Sequence, residues 1–228
     1  MKQYKGFTLA EVLITLGIIG IVAAMTIPSL MQNTQDFQLK QAWKKEFSAI
    51  VQAYNRVKQD EGGDLSAFYS VGNGTTPIVQ GLGNYLTFFQ SCGVPYAGDY
   101  YNICGSNPTV NVTTNPYKTQ DGNAVHFTNL IEGQYILKDG AQLYFRTANA
   151  GRLIILVDVN GFKKGPNTAG KDLFGISAST DWIKPLGAPD TGTENSCNTT
   201  ALCSGSGVYG YAGIYCAGIG CSSEYLYN

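Results

Sequence analysis

Charge is what this chain has little of. Its 15 basic and 16 acidic side chains are 14% of 228 residues, and they nearly cancel. So even a balance provides no basic stripe of the kind that holds nucleic acid. Histidine is scarcer: His126 is the single one, in a short strand-like run at residues 124–128, where a lone histidine is more often packed than catalytic. Gly-x-Ser-x-Gly is absent, since Gly205-Ser206-Gly207 lacks its spacing. Gly17-Ile18-Ile19-Gly20 is followed by no Walker-type lysine. Without a nucleophile elbow or a phosphate loop, the sequence reads as a non-enzyme with no catalytic cofactor.

The few charges are also unevenly placed. Residues 6–31 read GFTLAEVLITLGIIGIVAAMTIPSLM, with Glu11 their one charged side chain and Asp36 the next along. Residues 12–31 are 20 in succession without a charge, the length a helix needs to cross the hydrocarbon core. A single acid beside such a run is costly in lipid and marks a function with a definite partner. A secretory signal peptide also pairs a basic start with an apolar core. This run, however, is longer, and no small-x-small cleavage site with a polar start follows it. A plain signal anchor accounts for the length and for Lys2 and Lys5, but not for Glu11 or the glycine before Phe7.

Lys5-Gly6-Phe7-Thr8-Leu9-Ala10-Glu11 resembles the prepilin leader junction of type IV pilins and type II secretion pseudopilins, and Pro28 also fits that family. The resemblance is specific over residues 5–31 and architectural elsewhere. It implies a cut between Gly6 and Phe7 by prepilin peptidase, N-methylation of Phe7, and a role in assembly for Glu11. It also implies that part of the segment around Gly17, Gly20 and Pro28 melts on assembly. The physics is arguable independently. In an isolated copy Glu11 is expected to lack a fixed partner. A neighbour's freed Phe7 amine alongside would satisfy it, and a misregistered neighbour would leave a buried charge unpaired.

Length and composition suit one anchored globular domain. The expected order is a leader at residues 1–6, a transmembrane and filament-core helix at 7–31, an amphipathic continuation at 32–61, and an extracytoplasmic pilin-like domain at 62–228. Lysines at the start place that domain outside by the positive-inside rule. All six cysteines, Cys92, Cys104, Cys197, Cys203, Cys216 and Cys221, follow the apolar helix. An even number in an oxidising compartment argues for disulfides. The expectation is Cys92 with Cys104, and the other four among themselves. Metal binding by Cys216 and Cys221 is disfavoured, because the spacing is not CxxC and no histidine is near.

From Gln32 onward, Leu39, Trp43, Phe47, Ile50, Tyr54 and Val57 recur at three- and four-residue steps, which predicts one apolar face. Gly62-Gly63 stops the helix, so residues 7–61 as one helix extend about 80 Å. Residues 78–90 predict a short helix with Leu82, Tyr85, Leu86 and Phe89 on one side. Residues 134–137 and 142–145 face each other across Asp139-Gly140, a hairpin turn, and residues 152–159 follow as a third run. The fold class predicted is α+β: a long N-terminal helix covering a small antiparallel sheet, as in pilin headgroups, with a disulfide-rich loop region from residue 184 onward.

The loop after residue 158 resembles one that binds calcium in some pseudopilins. Asp158, Asn160, Asn167 and Asp172 are oxygen donors of the type a hard cation takes. The spacing is not an EF-hand, and a set of Asx turns is the favoured reading. For the whole chain the expectation is a bacterial type IV pilus or type II secretion pseudopilus subunit. Its partners are copies of itself and related pilins, prepilin peptidase, the inner-membrane assembly machinery and the membrane. The alternative is a minor pilin whose loops grip a surface, DNA or a secreted substrate. A monomeric anchored binding protein leaves Glu11 unexplained.

Overall fold

The computed structural model describes residues 6, 8–66, 76–93, 117–120, 122, 133–148, 152–191 and 218–227. The chain divides into two compact units, Met1–Gln38 and Leu39–Asn228. One helix, α1 (Leu9–Asp60), runs through the boundary. It continues past Pro28 and ends two residues before the predicted glycines. There the amide of Gly62 donates to the carbonyl of Gln59 (3.1 Å) and that of Gly63 to Lys58 (2.7 Å). This is a Schellman ending, with Gly62 at the left-handed position (φ 70°) that a side chain resists.

In the first unit, nothing on α1 is buried. Leu9, Leu13, Ile14, Leu16, Ile18 and Ile19 are all more than half exposed. Its mean hydropathy reaches 2.2 over 18 residues, so this one helix among the described residues is long and apolar enough to cross a membrane.

The second unit is helix on sheet. From Leu39, α1 buries Leu39, Trp43, Glu46, Ile50, Ala53, Tyr54 and Val57, a stripe at three- and four-residue steps. The predicted Phe47 is only half-buried, and Glu46 takes the core position. Six strands run antiparallel in chain order: β1 (Phe88–Gly93), β2 (Gly133–Leu137), β3 (Gln142–Ala148), β4 (Arg152–Asp158), β5 (Leu173–Ala178) and β6 (Ile183–Pro185). Alternation along β3 and β4 sends Leu143, Phe145, Leu153, Ile155 and Val157 toward α1 and α2 (Thr76–Gly83). Tyr144, Ile154 and Leu156 go to a second cluster with Tyr117, Leu173, Leu186 and Ile219. β4 is thus buried on both faces, which explains its unbroken apolar run.

The structure corrects three expectations. The helix predicted for residues 78–90 stops at Gly83, and β1 begins at Phe88. Leu82 turns the chain there, its carbonyl accepting the amides of Tyr85 (3.0 Å) and Leu86 (2.8 Å), and Phe89 ends 72% exposed. The third predicted run, β4 at 152–158, does not end the sheet. β5 follows it, invisible to an alternation test because every one of its residues is buried. The C-terminal region predicted as loop contains β6 and closes in α3 (Cys221–Tyr227). The strand expected at residues 124–128, with His126, lies outside the described residues.

Candidate functional site

Helix α1 opens with a reciprocal cap. The Thr8 amide donates to Glu11 Oε2 (2.8 Å), the Thr8 hydroxyl to the same oxygen (2.7 Å), and the Glu11 amide back to Thr8 Oγ1 (3.3 Å). This is a capping box, in which a helix satisfies its own orphan donors. It corrects the expectation that Glu11 lacks a fixed partner in an isolated copy: Thr8, three residues back, is that partner. Both bonds fall on Oε2, and among the described residues Oε1 accepts none. The signal was readable as Thr-x-x-Glu, a known helix-start pattern.

The other threonine hydroxyls of the segment are hidden in the same way. Thr15 donates to the carbonyls of Glu11 and Val12 (both 2.9 Å), Thr26 to Val22 (2.9 Å) and Thr34 to Leu30 (2.8 Å). Polar groups that back-bond into the helix need no water, which is the condition for life in hydrocarbon or in a packed bundle. Pro28 removes one donor without ending the helix. Of the expected processing residues, Gly6 is described and exposed, and Phe7 lies outside the described residues.

In the 158–172 loop the structure brings all four expected oxygen donors into one hydrogen-bonded turn system. Asp158 Oδ1 accepts the amides of Asn160 (3.2 Å) and Gly161 (2.8 Å), and Oδ2 accepts the Tyr117 hydroxyl (2.6 Å). Asp172 accepts the amides of Asn167 (2.7 Å) and Thr168 (2.6 Å). Asn160 and Asn167 donate across the loop to the carbonyls of Gly165 and Phe162, each at 2.7 Å. Burial pushes the Asp158 carboxyl up to about 6, with the Asp172 charge adding to it and the Tyr117 and backbone donors opposing. Burial also raises Asp172, again against its backbone donors. Asp158 makes an Asx turn, Asp172 closes the loop from its far end, and between them all four carboxylate oxygens accept a donor. Two buried amide oxygens, Asn160 Oδ1 and Asn167 Oδ1, make no hydrogen bond among the described residues. No group of three or more His, Cys, Asp or Glu side chains able to hold a metal occurs among them either. Both carboxylates are thus already engaged by backbone and hydroxyl donors.

Cys92 lies on β1 and Cys221 opens α3, and neither is a free thiol. Cys104, Cys197, Cys203 and Cys216 lie outside the described residues, and with them the expected pairings.

Compared with known families, residues 1–27 match the model of the prokaryotic N-terminal methylation motif, the prepilin-type signature of type IV pilins and pseudopilins. The chain begins as a prepilin does. No curated protein and no solved structure matches it. The methylation motif takes in Gly6, Phe7, Thr8 and Glu11, so the capping box lies inside it. It ends one residue before Pro28. Beyond it the fold is pilin-like in its own right: α+β, with a long apolar-headed helix whose latter part packs on a six-stranded antiparallel sheet. The motif supports a subunit of the type IV pilin or pseudopilin kind, a structural family.

Sequence reasoning passed over two groups. Glu46 falls on the 39/43/46/50 stripe, so its spacing marked a core position that its charge concealed. Tyr117 and Tyr144, with hydroxyls 2.9 Å apart beside Asp158, come from distant segments and carried no local signal.

Proposed function

We propose that this protein is a structural subunit of a bacterial type IV pilus or type II secretion pseudopilus. In this reading, prepilin peptidase cuts between Gly6 and Phe7 and methylates the new amine, and the subunit waits in the cytoplasmic membrane with its globular domain outside. Polymerisation then runs through α1. The observation that carries the reading is the helix start: the prepilin-type motif leads into an apolar stretch of α1 with no buried residue before Leu39 and with Glu11 in its first turn. An unpartnered acid at that depth costs several kcal/mol. The Thr8 cap covers one oxygen of Glu11 while the subunit is alone. The other oxygen suits the cationic amine of an adjacent copy's Phe7. The pair need add little net stability, because its use lies in penalising wrong register.

Mass spectrometry of the mature N-terminus tests the processing. Methyl-phenylalanine at residue 7 supports it, and an intact Met1 refutes it. Glu11→Ala tests the register: protein remains at wild-type level in the membrane but is missing from sheared filaments. Equal incorporation of this variant would remove the role assigned to Glu11. This reading keeps the expected pairing of Cys92 with Cys104 and of the remaining four cysteines among themselves.

A further inference from the structure

The second unit contains an acid that the assembly reading leaves unused. Glu46 occupies the core stripe of α1, with its side chain 4% exposed. An acid at such a position is normally an error unless it is paired, since burial penalises its charge. Two charged groups face it among the described residues. Lys45, its neighbour on α1, brings Nζ to 3.2 Å from Glu46 Oε1. Asp139, in the turn between β2 and β3, accepts a hydrogen bond from the same Nζ, which brings its carboxylate to the lysine that Glu46 also meets. Asp139 is itself fixed, with Oδ1 accepting the Ala141 amide at 3.2 Å. Two acids therefore share one lysine, at the point where the β2–β3 hairpin meets the helix.

We propose that Glu46, Asp139 and Lys45 form a proton-operated latch between α1 and the β2–β3 turn, closed when Glu46 carries a proton and released when it loses it. In the closed form the Glu46 hydroxyl donates to the Asp139 carboxylate, and Lys45 balances the one remaining negative charge. Losing the proton puts two carboxylates against each other with one ammonium between them, and removes the donor that joined helix to turn. The Asp139 side keeps a way out, since its side chain is 37% exposed and sits on a turn. Glu46 has none. The titration falls in a useful range: burial, with Asp139 adding to it, pushes the Glu46 carboxyl up to about 7 against the pull of Lys45. For Asp139, burial is outweighed by the hydrogen bonds from Lys45 and Glu46, which hold it below the usual carboxylate range. One acid therefore keeps its proton near neutrality while the other gives its proton up, the division of labour that closes the latch.

The test is amide hydrogen exchange on the full chain in detergent micelles, corrected for intrinsic rates, at about pH 6 and about pH 8. Gly140 and Leu137 donate their amides within the turn, to the carbonyls of Leu137 (3.0 Å) and Ala141 (2.8 Å), and they report on it. Their protection is expected to fall about tenfold from the lower pH to the higher, the scale of one hydrogen bond to a charged group, while β4 amides hold steady. In Glu46→Gln the amide donates to Asp139 at either pH, so turn protection becomes independent of pH. Asp139→Asn, a surface change that spares the core, also abolishes the dependence. Turn protection that is equal at both pH values in the native chain overturns the proposal. So does an unaltered pH dependence in Glu46→Gln, or a parallel loss across β4 that marks a global change.

Discussion

Thr8 and Glu11 show how much one side chain can settle when it stands at a helix end. The apolar segment has few polar groups, and each of its threonine hydroxyls finds its partner within four residues. Removing the cap has a definite cost. Thr8→Val leaves the Glu11 amide without an acceptor and Oε2 with only the backbone amide of residue 8 as donor, and should destabilise the helix start by about 0.5–2 kcal/mol. Faster amide exchange over residues 9–12 in micelles, with residues 20–30 unchanged, is the expected record. Trp43 is a second such residue. Its indole N–H donates to the buried carbonyl of Ser222 at 2.9 Å, and its ring stacks on Phe174 with centroids 4.8 Å apart. Trp43→Phe keeps most of the packing but removes that donor, at a cost of about 0.5–1.5 kcal/mol. Denaturant unfolding of the full chain measures it as a lower midpoint.

Among the elements, β5 depends on closeness more than on pattern. Gly175 lies under Leu186, where an added Cβ meets Leu186 Cδ1 at 2.3 Å and Ile219 Cγ2 at 3.1 Å. Its amide also donates to the Ser222 hydroxyl at 2.8 Å, so the strand is held against the start of α3. Gly175→Ala should therefore cost about 1–3 kcal/mol through overpacking, despite alanine being the better strand residue. A rise in the denaturation midpoint would contradict that account. The 158–172 loop makes the opposite case, because its geometry is set by hydrogen bonds. With both carboxylates of Asp158 and Asp172 already accepting amides, millimolar calcium should leave the melting temperature where chelator leaves it. Thermal scans in each condition check this, and a calcium-dependent rise would mean that the two unpaired asparagine oxygens recruit the ion.

For the whole molecule, the buried acids set how stability follows pH. Glu46 and Asp158 both have native carboxyls raised above their ordinary values, to about 7 and about 6. Between the ordinary carboxylate range and those values, the folded chain binds more protons than the unfolded one. Stability from these two groups is therefore full below that range and declines as pH rises through it, becoming flat above about 7. Melting of the full chain in micelles should be higher at about pH 5 than at about pH 7.5, and the difference should shrink in Glu46→Gln. A melting temperature that climbed over that interval would mean that other groups dominate.

Some of this was written in local order and some was not. The apolar run, the placed acid, the glycine stop after Asp60 and the Asp139-Gly140 turn each act within a few residues. Spacing and composition were therefore enough to specify the anchor helix, its end and the central hairpin. The sequence by itself also carried the methylation motif, because that chemistry reads a contiguous stretch. What the tertiary structure alone decided depends on residues far apart in the chain. The second apolar cluster makes β5 a core strand. Trp43 meets Ser222 across 179 positions. Glu46 became a core residue because Asp139 arrives beside it from 93 positions away. A carboxyl's neighbours, and with them its charge, are set by packing, and no periodicity in a single segment records which distant group will supply them.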